Sequence, residues 1–349
     1  MIRIDHVRCI DPASGEDRIQ TVWLQDGQRV NAPASPSVTE VIDGQGQWLV
    51  PALVDLCARL REPGQQQHGT LASEGRAARA HGVLHVVIPP DTRPVLESGA
   101  LFAGLRQKAL QDGGIHLHII GAMTQGLAGE QPANMAALQK GGCIAVSNGK
   151  NGFAGDHVLL STLEYAATLG LTVFFYPEEK ALAQDGCVHD GFMASRQGLT
   201  GIPEVAETVA LAKQLLLVRE TGVKAHFGLL SCGASVQLIR QARAEGLPVS
   251  ASVAMHQLFL TDAEIDGFNA LAHVRPPLRS AQDREQLRQG VAEGVIEAVC
   301  SHHEPLSDSA KLAPFAETEP GISALDTFVS LGLQLVRDGQ LSPLEWLQR

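Results

Sequence analysis

Residues 55–64 read Asp-Leu-Cys-Ala-Arg-Leu-Arg-Glu-Pro-Gly. They have the spacing of a metal-binding strand with its ligands replaced. Residues i and i+2 of a β-strand point to the same face, so two imidazoles at positions 57 and 59 would grip one cation from one side. The chain puts Cys57 and Arg59 there instead. Cys57 could still offer a thiolate. Arg59 has no lone pair to donate and keeps its charge, so it repels a metal. Other candidate donors are scattered among thirteen His. His116 and His118 repeat the i, i+2 spacing with the right residue type. His302 and His303 are adjacent, so on a strand they point to opposite faces and do not readily share one ion.

Such positions need a scaffold. Residues 1–49 read as short strands: Ile2, Ile4, Val22, Leu24 and Val41 alternate with polar residues, and Asp26-Gly27 fits a hairpin turn. After Pro51 the pattern changes. Apolar β-like runs at 53–56, 83–88, 115–120, 143–147, 172–176, 224–230, 248–253 and 296–301 alternate with helix-like segments at 70–81, 98–111, 134–140, 159–169, 203–221, 234–244 and 283–293. Continuous apolar strands alternating with helices predict a parallel sheet covered by helices, and eight of them fit a (β/α)8 TIM barrel. No GxGxxG follows the first strand, which argues against a dinucleotide-binding sheet. The expected division is a small β-sandwich-like domain at 1–49 and a barrel at 50–349.

Bulk properties narrow the function. The formal charge of −11 and the lack of any Lys/Arg block exclude nucleic acid and acidic membranes as partners. The six Cys form no CxxC pair and read as reduced thiols, which points to the cytoplasm. The N-terminus lacks the apolar core of a signal peptide, and no stretch reaches the ~18 apolar residues of a membrane span.

Three short motifs carry a family resemblance: Arg61-Glu62-Pro63-Gly64, Arg275-Pro276-Pro277-Leu278-Arg279 with Asp283-Arg284, and Pro320-Gly321-Ile322. Their order and spacing resemble those of bacterial dihydroorotases, of the amidohydrolase superfamily, over nearly the whole chain. The resemblance implies an amidohydrolase-type barrel. It also implies a chemistry in which zinc-held water attacks a ring amide while an Asp moves the proton. The ligand positions depart from it. The His-x-His strand holds Cys57 and Arg59. The family's acidic pair after a Ser corresponds to Asn148 and Gly149. The fifth-strand His corresponds to Tyr176, the sixth-strand His to Leu229. The Asp of Asp-His-Ala-Pro-His corresponds to His302, in His302-His303-Glu304-Pro305-Leu306. A neutral phenol is a poor zinc ligand, and leucine is none. Of the substrate-carboxylate positions Arg61 persists, while the Asn becomes Asp91 and the final His becomes Leu306; His256 matches a family loop position.

The resemblance is therefore to non-catalytic dihydroorotase-like chains, which implies no catalytic residues, no zinc, a homo-oligomer and a structural partnership with the aspartate carbamoyltransferase catalytic chain of pyrimidine biosynthesis. Family members continue further to complete the small β domain, so the chain ending at Arg349 implies an incomplete one. Two rivals are an active cyclic amidohydrolase with a rearranged metal site, using Cys57, His302 and Glu178 or His226, and a sensor binding an anion between Arg59 and Arg61. Cys57 reads as a buried filler or as a thiol activated by Arg59. Arg61 reads as an anion binder or as a partner of Asp91 or Glu62. Residues 178–180 read as a solvated charged loop. Leu229 and Tyr176 are expected in the barrel mouth beside Cys57, with Arg59 neutralised by Asp55 or Asp91.

Overall fold

The computed structural model describes residues 1–32 and 40–349. The strands are β1 (Ile2–Asp11), β2 (Glu16–Gln25), β3 (Gln28–Val30), β4 (Glu40–Asp43), β5 (Trp48–Leu49), β6 (Leu53–Asp55), β7 (Val83–Ile88), β8 (His116–Ala122), β9 (Ala145–Ser147), β10 (Thr172–Phe175), β11 (Val188–His189), β12 (Gly201–Ile202), β13 (Ala225–Phe227), β14 (Val249–Ala254) and β15 (Ala298–Cys300). The α-helices are α1 (Leu71–Ala80), α2 (Gly99–Lys108), α3 (Met135–Lys140), α4 (Asp156–Thr168), α5 (Lys180–Ala183), α6 (Phe192–Gln197), α7 (Glu204–Thr221), α8 (Gly233–Ala244), α9 (Ala281–Ala292), α10 (Leu325–Arg337) and α11 (Pro343–Gln348).

The chain divides into two compact units, residues 1–53 with 332–349, and residues 54–331. In the first, β1 lies between antiparallel β2 and parallel β4, with β3 beyond β2 and β5 also paired to β1. The β2–β3 turn is Asp26-Gly27, both with positive φ (52° and 76°), as the sequence predicts for a type I′ hairpin. Val7, Cys9 and Val22 form its buried core. Residues 332–349 group with these strands, whereas the sequence reading ran the barrel to Arg349.

The second unit is the expected barrel. Its eight strands run in the order β6-β7-β8-β9-β10-β13-β14-β15, and all eight β-like runs of the sequence have become its strands. A parallel bridge, Ala58 to His303, joins the first strand's end to the last. Buried Asp55 seals the same seam, accepting from the Ser301 amide at 3.0 Å, the Ser301 hydroxyl and the Cys57 amide at 3.2 Å. Inside, Val87, Ile120 and Ala145 pack with Leu56 and Phe174. His226 also faces inward, bonded to Ser250 Oγ and Ser252 Oγ at 2.9 Å each, its ring 4.5 Å from that of Phe174.

The helices follow the predicted segments. Thr70 and Ser280 each close a capping box at the start of α1 and α9. The sequence reading missed the insertion between β10 and α7, which holds α5, β11, α6 and β12. Its elements are two to six residues long, too short for a periodic signal.

Candidate functional site

The C-terminal ends of the barrel strands bring the singled-out residues together. Cys57, Leu229, Ala254 and Cys300 form a buried apolar cluster, with Leu56 and Tyr176 packed against it. Leu229 and Tyr176 thus sit in the mouth beside Cys57, as expected. Cys57 Sγ lies 3.8 Å from Tyr176 Oη. Burial pushes the Cys57 thiol up to about 11, outweighing the pull of Arg59. It is a neutral filler, and the activated-thiol reading falls. Burial likewise raises the Tyr176 phenol well above its ordinary value, so it stays neutral. The gap between Tyr176, Leu229, Lys150 and Arg275 is about 20 Å³, close to one water's worth of space, while a cavity of about 210 Å³ lies beside it, lined by Asn148, Gly149, Lys150, Tyr176 and Glu178.

Beside this plug lies a charged cluster. The Arg59 side chain, 8 % exposed, reaches Asp91 Oδ2 through Nη2 at 2.7 Å and Nε at 3.2 Å. Asp91 is the expected neutralising partner; Asp55 is not, because its oxygens are committed to the seam. Glu304, which the sequence reading passed over, lies 3.6 Å from Arg59 Nε, 3.7 Å from Arg61 Nη1, 3.6 Å from Lys150 Nζ and 3.6 Å from His302 Nε2. Burial would raise its carboxyl, but the three cations outweigh that and hold it at about 2. Arg61 pairs with neither Asp91 nor Glu62, contrary to expectation. It donates from Nε to Pro305 O at 2.7 Å and from Nη1 to Gln65 Oε1 at 3.0 Å. Glu62 instead caps α1, accepting from the Leu71 amide at 3.0 Å.

The remaining positions are equally unlike a metal centre. Asn148 accepts from Thr124 Oγ1 and donates to Gly152 O at 3.0 Å, so its oxygen is occupied. Gly149 is left-handed (φ 60°) and offers no side chain. His302 stacks on His256, ring centroids 5.5 Å apart. Burial lowers both imidazoles, His256 to about 4, so both are neutral. His303 points the other way, as predicted, with Nε2 2.8 Å from Glu74 Oε2 and Nδ1 accepting from the Ala324 amide at 3.1 Å. Leu306 is half-buried near Gly321, where a Cβ would lie 3.0 Å from its Cδ1 and 2.6 Å from Glu304 O. A zinc ion does not fit this donor set. The ligand positions carry a neutral thiol, a guanidinium, an engaged amide, a phenol, a leucine and a single imidazole, with Lys150 adding a further positive charge.

The other candidates lie elsewhere. His118 Nε2 meets His85 Nδ1 at 3.0 Å near the N-terminal ends of β8 and β7, with His116 stacked on His85, so the pair is engaged by other side chains. Glu178 is paired bidentately with Arg275 (2.8 and 2.9 Å) and Glu179 with Lys213 at 3.2 Å, so residues 178–179 are not merely solvated. The Arg275 motif clamps the insertion, with Arg275 Nη1 donating to Gly186 O at 3.3 Å and Arg279 donating to Ile202 O, while Pro276 O and Pro277 O accept from Gln257 Nε2 at 3.1 Å each. Among the described residues one group of three metal-type donors converges, His189, Glu204 and Asp283. It was invisible in the sequence because its members come from β11, α7 and α9. Arg279 Nη1 stands 3.2 Å from His189 Nδ1, and Asp283 is engaged by the Gly233 amide at 2.9 Å and by Ser280. A cation is thus already present there.

Comparison with known proteins agrees with the fold and the motifs. Residues 46–234 match the dihydro-orotase-like family model. The chain is 47 % identical over 343 residues to a dihydroorotase-like protein of Pseudomonas aeruginosa, covering 97 % of this chain and 81 % of that one. The chain belongs to the dihydroorotase-like family. It is also 36 % identical to a dihydroorotase of Pelotomaculum thermopropionicum, over 96 % of this chain and 79 % of the relative. The L-hydantoinase of Arthrobacter aurescens shares the fold, with a TM-score of 0.87 at 19 % identity over 99 % of this chain and 80 % of that structure. Barrel, motifs and family therefore agree.

Proposed function

We propose that this dihydroorotase-like chain is non-catalytic and serves as a structural partner of the aspartate carbamoyltransferase catalytic chain in pyrimidine biosynthesis. The observation that carries the first half is the buried Arg59 guanidinium, fixed by Asp91 and Glu304 where a cation's ligand would stand, beside the Cys57–Tyr176–Leu229 plug. With no metal-held water and no Asp at position 302, both the nucleophile and the proton acceptor of the family reaction lack a residue to supply them. Zinc is not part of this reading. The partnership and self-association rest on the family resemblance, and a cytoplasmic site of action rests on the six unpaired Cys. No helix among the described residues is long and apolar enough to cross a membrane. Of the rivals, a rearranged metal site loses His226 to the barrel interior and Glu178 to Arg275. The Arg59–Arg61 anion pocket is already met by internal carboxylates.

The test mixes the purified chain with its cognate carbamoyltransferase. A larger species in light scattering, with a carbamoyltransferase that is more stable or more active than alone, supports the reading. Independent elution at micromolar concentration with unchanged activity refutes the partnership. Dihydroorotate turnover above background with zinc, manganese or cobalt refutes the non-catalytic half.

A further inference from the structure

Glu304 stands where the family frame Asp-His-Ala-Pro-His has an alanine. Its carboxylate lies at 3.6–3.7 Å from Arg59, Arg61, Lys150 and His302 at once. No other carboxylate among the described residues meets more than one of Arg59, Arg61 and Lys150 within 4 Å. The donors exceed what Glu304 and Asp91 satisfy. Arg59 Nη1, Arg61 Nη2, both ring nitrogens of His256 and His302, and Glu304 Oε2 itself have no hydrogen-bond partner among the described residues, so Glu304 meets the cluster through ion pairs at 3.6–3.7 Å and not through hydrogen bonds. Arg59 and Arg61 are only 8 % and 7 % exposed, and His302 only 1 %. Buried guanidinium nitrogens without partners are costly, and a carboxylate is the acceptor whose planar geometry suits them.

The chain also holds Glu304 in place through its backbone. The Glu304 amide donates to Ile322 O at 2.8 Å, and Gly321 (φ 159°) lets the two segments approach, since a Cβ there would meet Glu304 O at 2.6 Å. The Pro320-Gly321-Ile322 motif thus positions the residue that enters the cluster.

We propose that Arg59, Arg61 and Lys150 form a carboxylate-binding site whose occupant is the chain's own Glu304, and that this tethered carboxylate closes the vacated centre to external carboxylates. The inference deepens the non-catalytic reading of the same site. Its consequence is that the centre is not a sensor for the family's anionic substrates: a tethered ligand is present at high effective concentration and is not displaced by a free one at ordinary levels.

The experiment is thermal unfolding of the full chain, wild type, Glu304→Ala and Glu304→Ser, in sodium acetate against sodium chloride at equal ionic strength. Glu304→Ala should melt lower than wild type in chloride. Acetate should raise its Tm by on the order of 2–4 °C over chloride, as a ligand filling the emptied site. Wild type should not distinguish the two salts. If Glu304→Ala does not accumulate as folded protein, Glu304→Ser serves, because it also vacates the carboxylate's place and removes the charge; acetate should stabilise it more than wild type. The proposal is overturned if wild type gains as much from acetate as the variants do, or if a folded variant gains nothing over chloride. Neither outcome depends on turnover, so a failure here leaves the non-catalytic reading standing, and detected turnover would sink that reading without deciding this one.

Discussion

Arg59→Ala is the most direct probe of the rebuilt centre. The substitution removes a guanidinium from a side chain 8 % exposed and leaves Asp91 without its 2.7 Å partner. Glu304 keeps Lys150 and Arg61 nearby, so the loss concentrates on Asp91, whose side chain is 27 % exposed. Breaking one partner of a buried pair costs roughly 3–5 kcal/mol, and the partial exposure of Asp91 puts this case at the lower end, about 3 kcal/mol. Replacing both partners by apolar residues, Arg59→Met with Asp91→Leu, should recover most of that, because the stranded charge is removed with its mate. The assay is urea unfolding followed by far-UV circular dichroism. All three Trp (Trp23, Trp48, Trp346) lie in the unit of residues 1–53 and 332–349, so their fluorescence reports that unit separately. A fall in the circular-dichroism midpoint is expected. A loss under about 1 kcal/mol, or a double variant no better than the single, would refute the claim that this pair is buried and mutually dependent.

Three further outcomes follow from the same geometry. Burial holds His226, His256 and His273 at about 4 in the fold, against about 6.5 for a free imidazole, so the unfolded chain takes up their protons first. Their stabilising contribution is complete above pH ~6.5 and is lost as pH falls toward 4; urea midpoints at pH 7.5, 6 and 5 should decline in that order, and a midpoint that is flat or rises would contradict it. Glu304, at about 2, adds a loss only between ~4.5 and 2. Dialysed protein should hold far less than one zinc per chain by elemental analysis, and Cys57→His alone should not change that, since Arg59 and Leu229 remain. Asp55→Ala removes the acceptor for Ser301 and for the Cys57 amide; with charge-assisted bonds worth ~1.5–3 kcal/mol each and not additive, a loss of about 3 kcal/mol in urea is expected, and a loss within about 0.5 kcal/mol would mean the seam closes without it.

The barrel was legible because its strands are continuous apolar runs of the right length between amphipathic helices, a signal that survives any change at the strand ends. The vestigial positions were legible through the motifs around them: Arg61 to Gly64 fixes the register of Cys57 and Arg59. The partners were harder. Arg59 could be matched to Asp91 from the family frame, but Glu304 draws on Arg59, Arg61 and Lys150, all of which lie far from it in sequence. Nothing local marks a Glu before a Pro as the centre of a cation cluster. The Asp55 seam was missed for the opposite reason. Its conserved-looking frame suggested an ion pair with Arg59, whereas burial and two amide donors commit it to the backbone. The insertion between β10 and α7 was illegible because its pieces are shorter than one period of either pattern.

The Asp55–Ser301 contact spans 246 residues of chain. A barrel whose first and last strands meet through that contact has no closed intermediate: until residue 301 has left the ribosome, β6 and its growing neighbours form an open sheet with an unpaired edge. Loop-closure entropy makes such long-range pairing late and slow, and an open apolar edge recruits other strands in the meantime. The yield of folded protein should therefore respond more to temperature and chain concentration during synthesis than the equilibrium stability would suggest. Sequence changes near Ser301 should show up first as insoluble material, before they register in any unfolding curve.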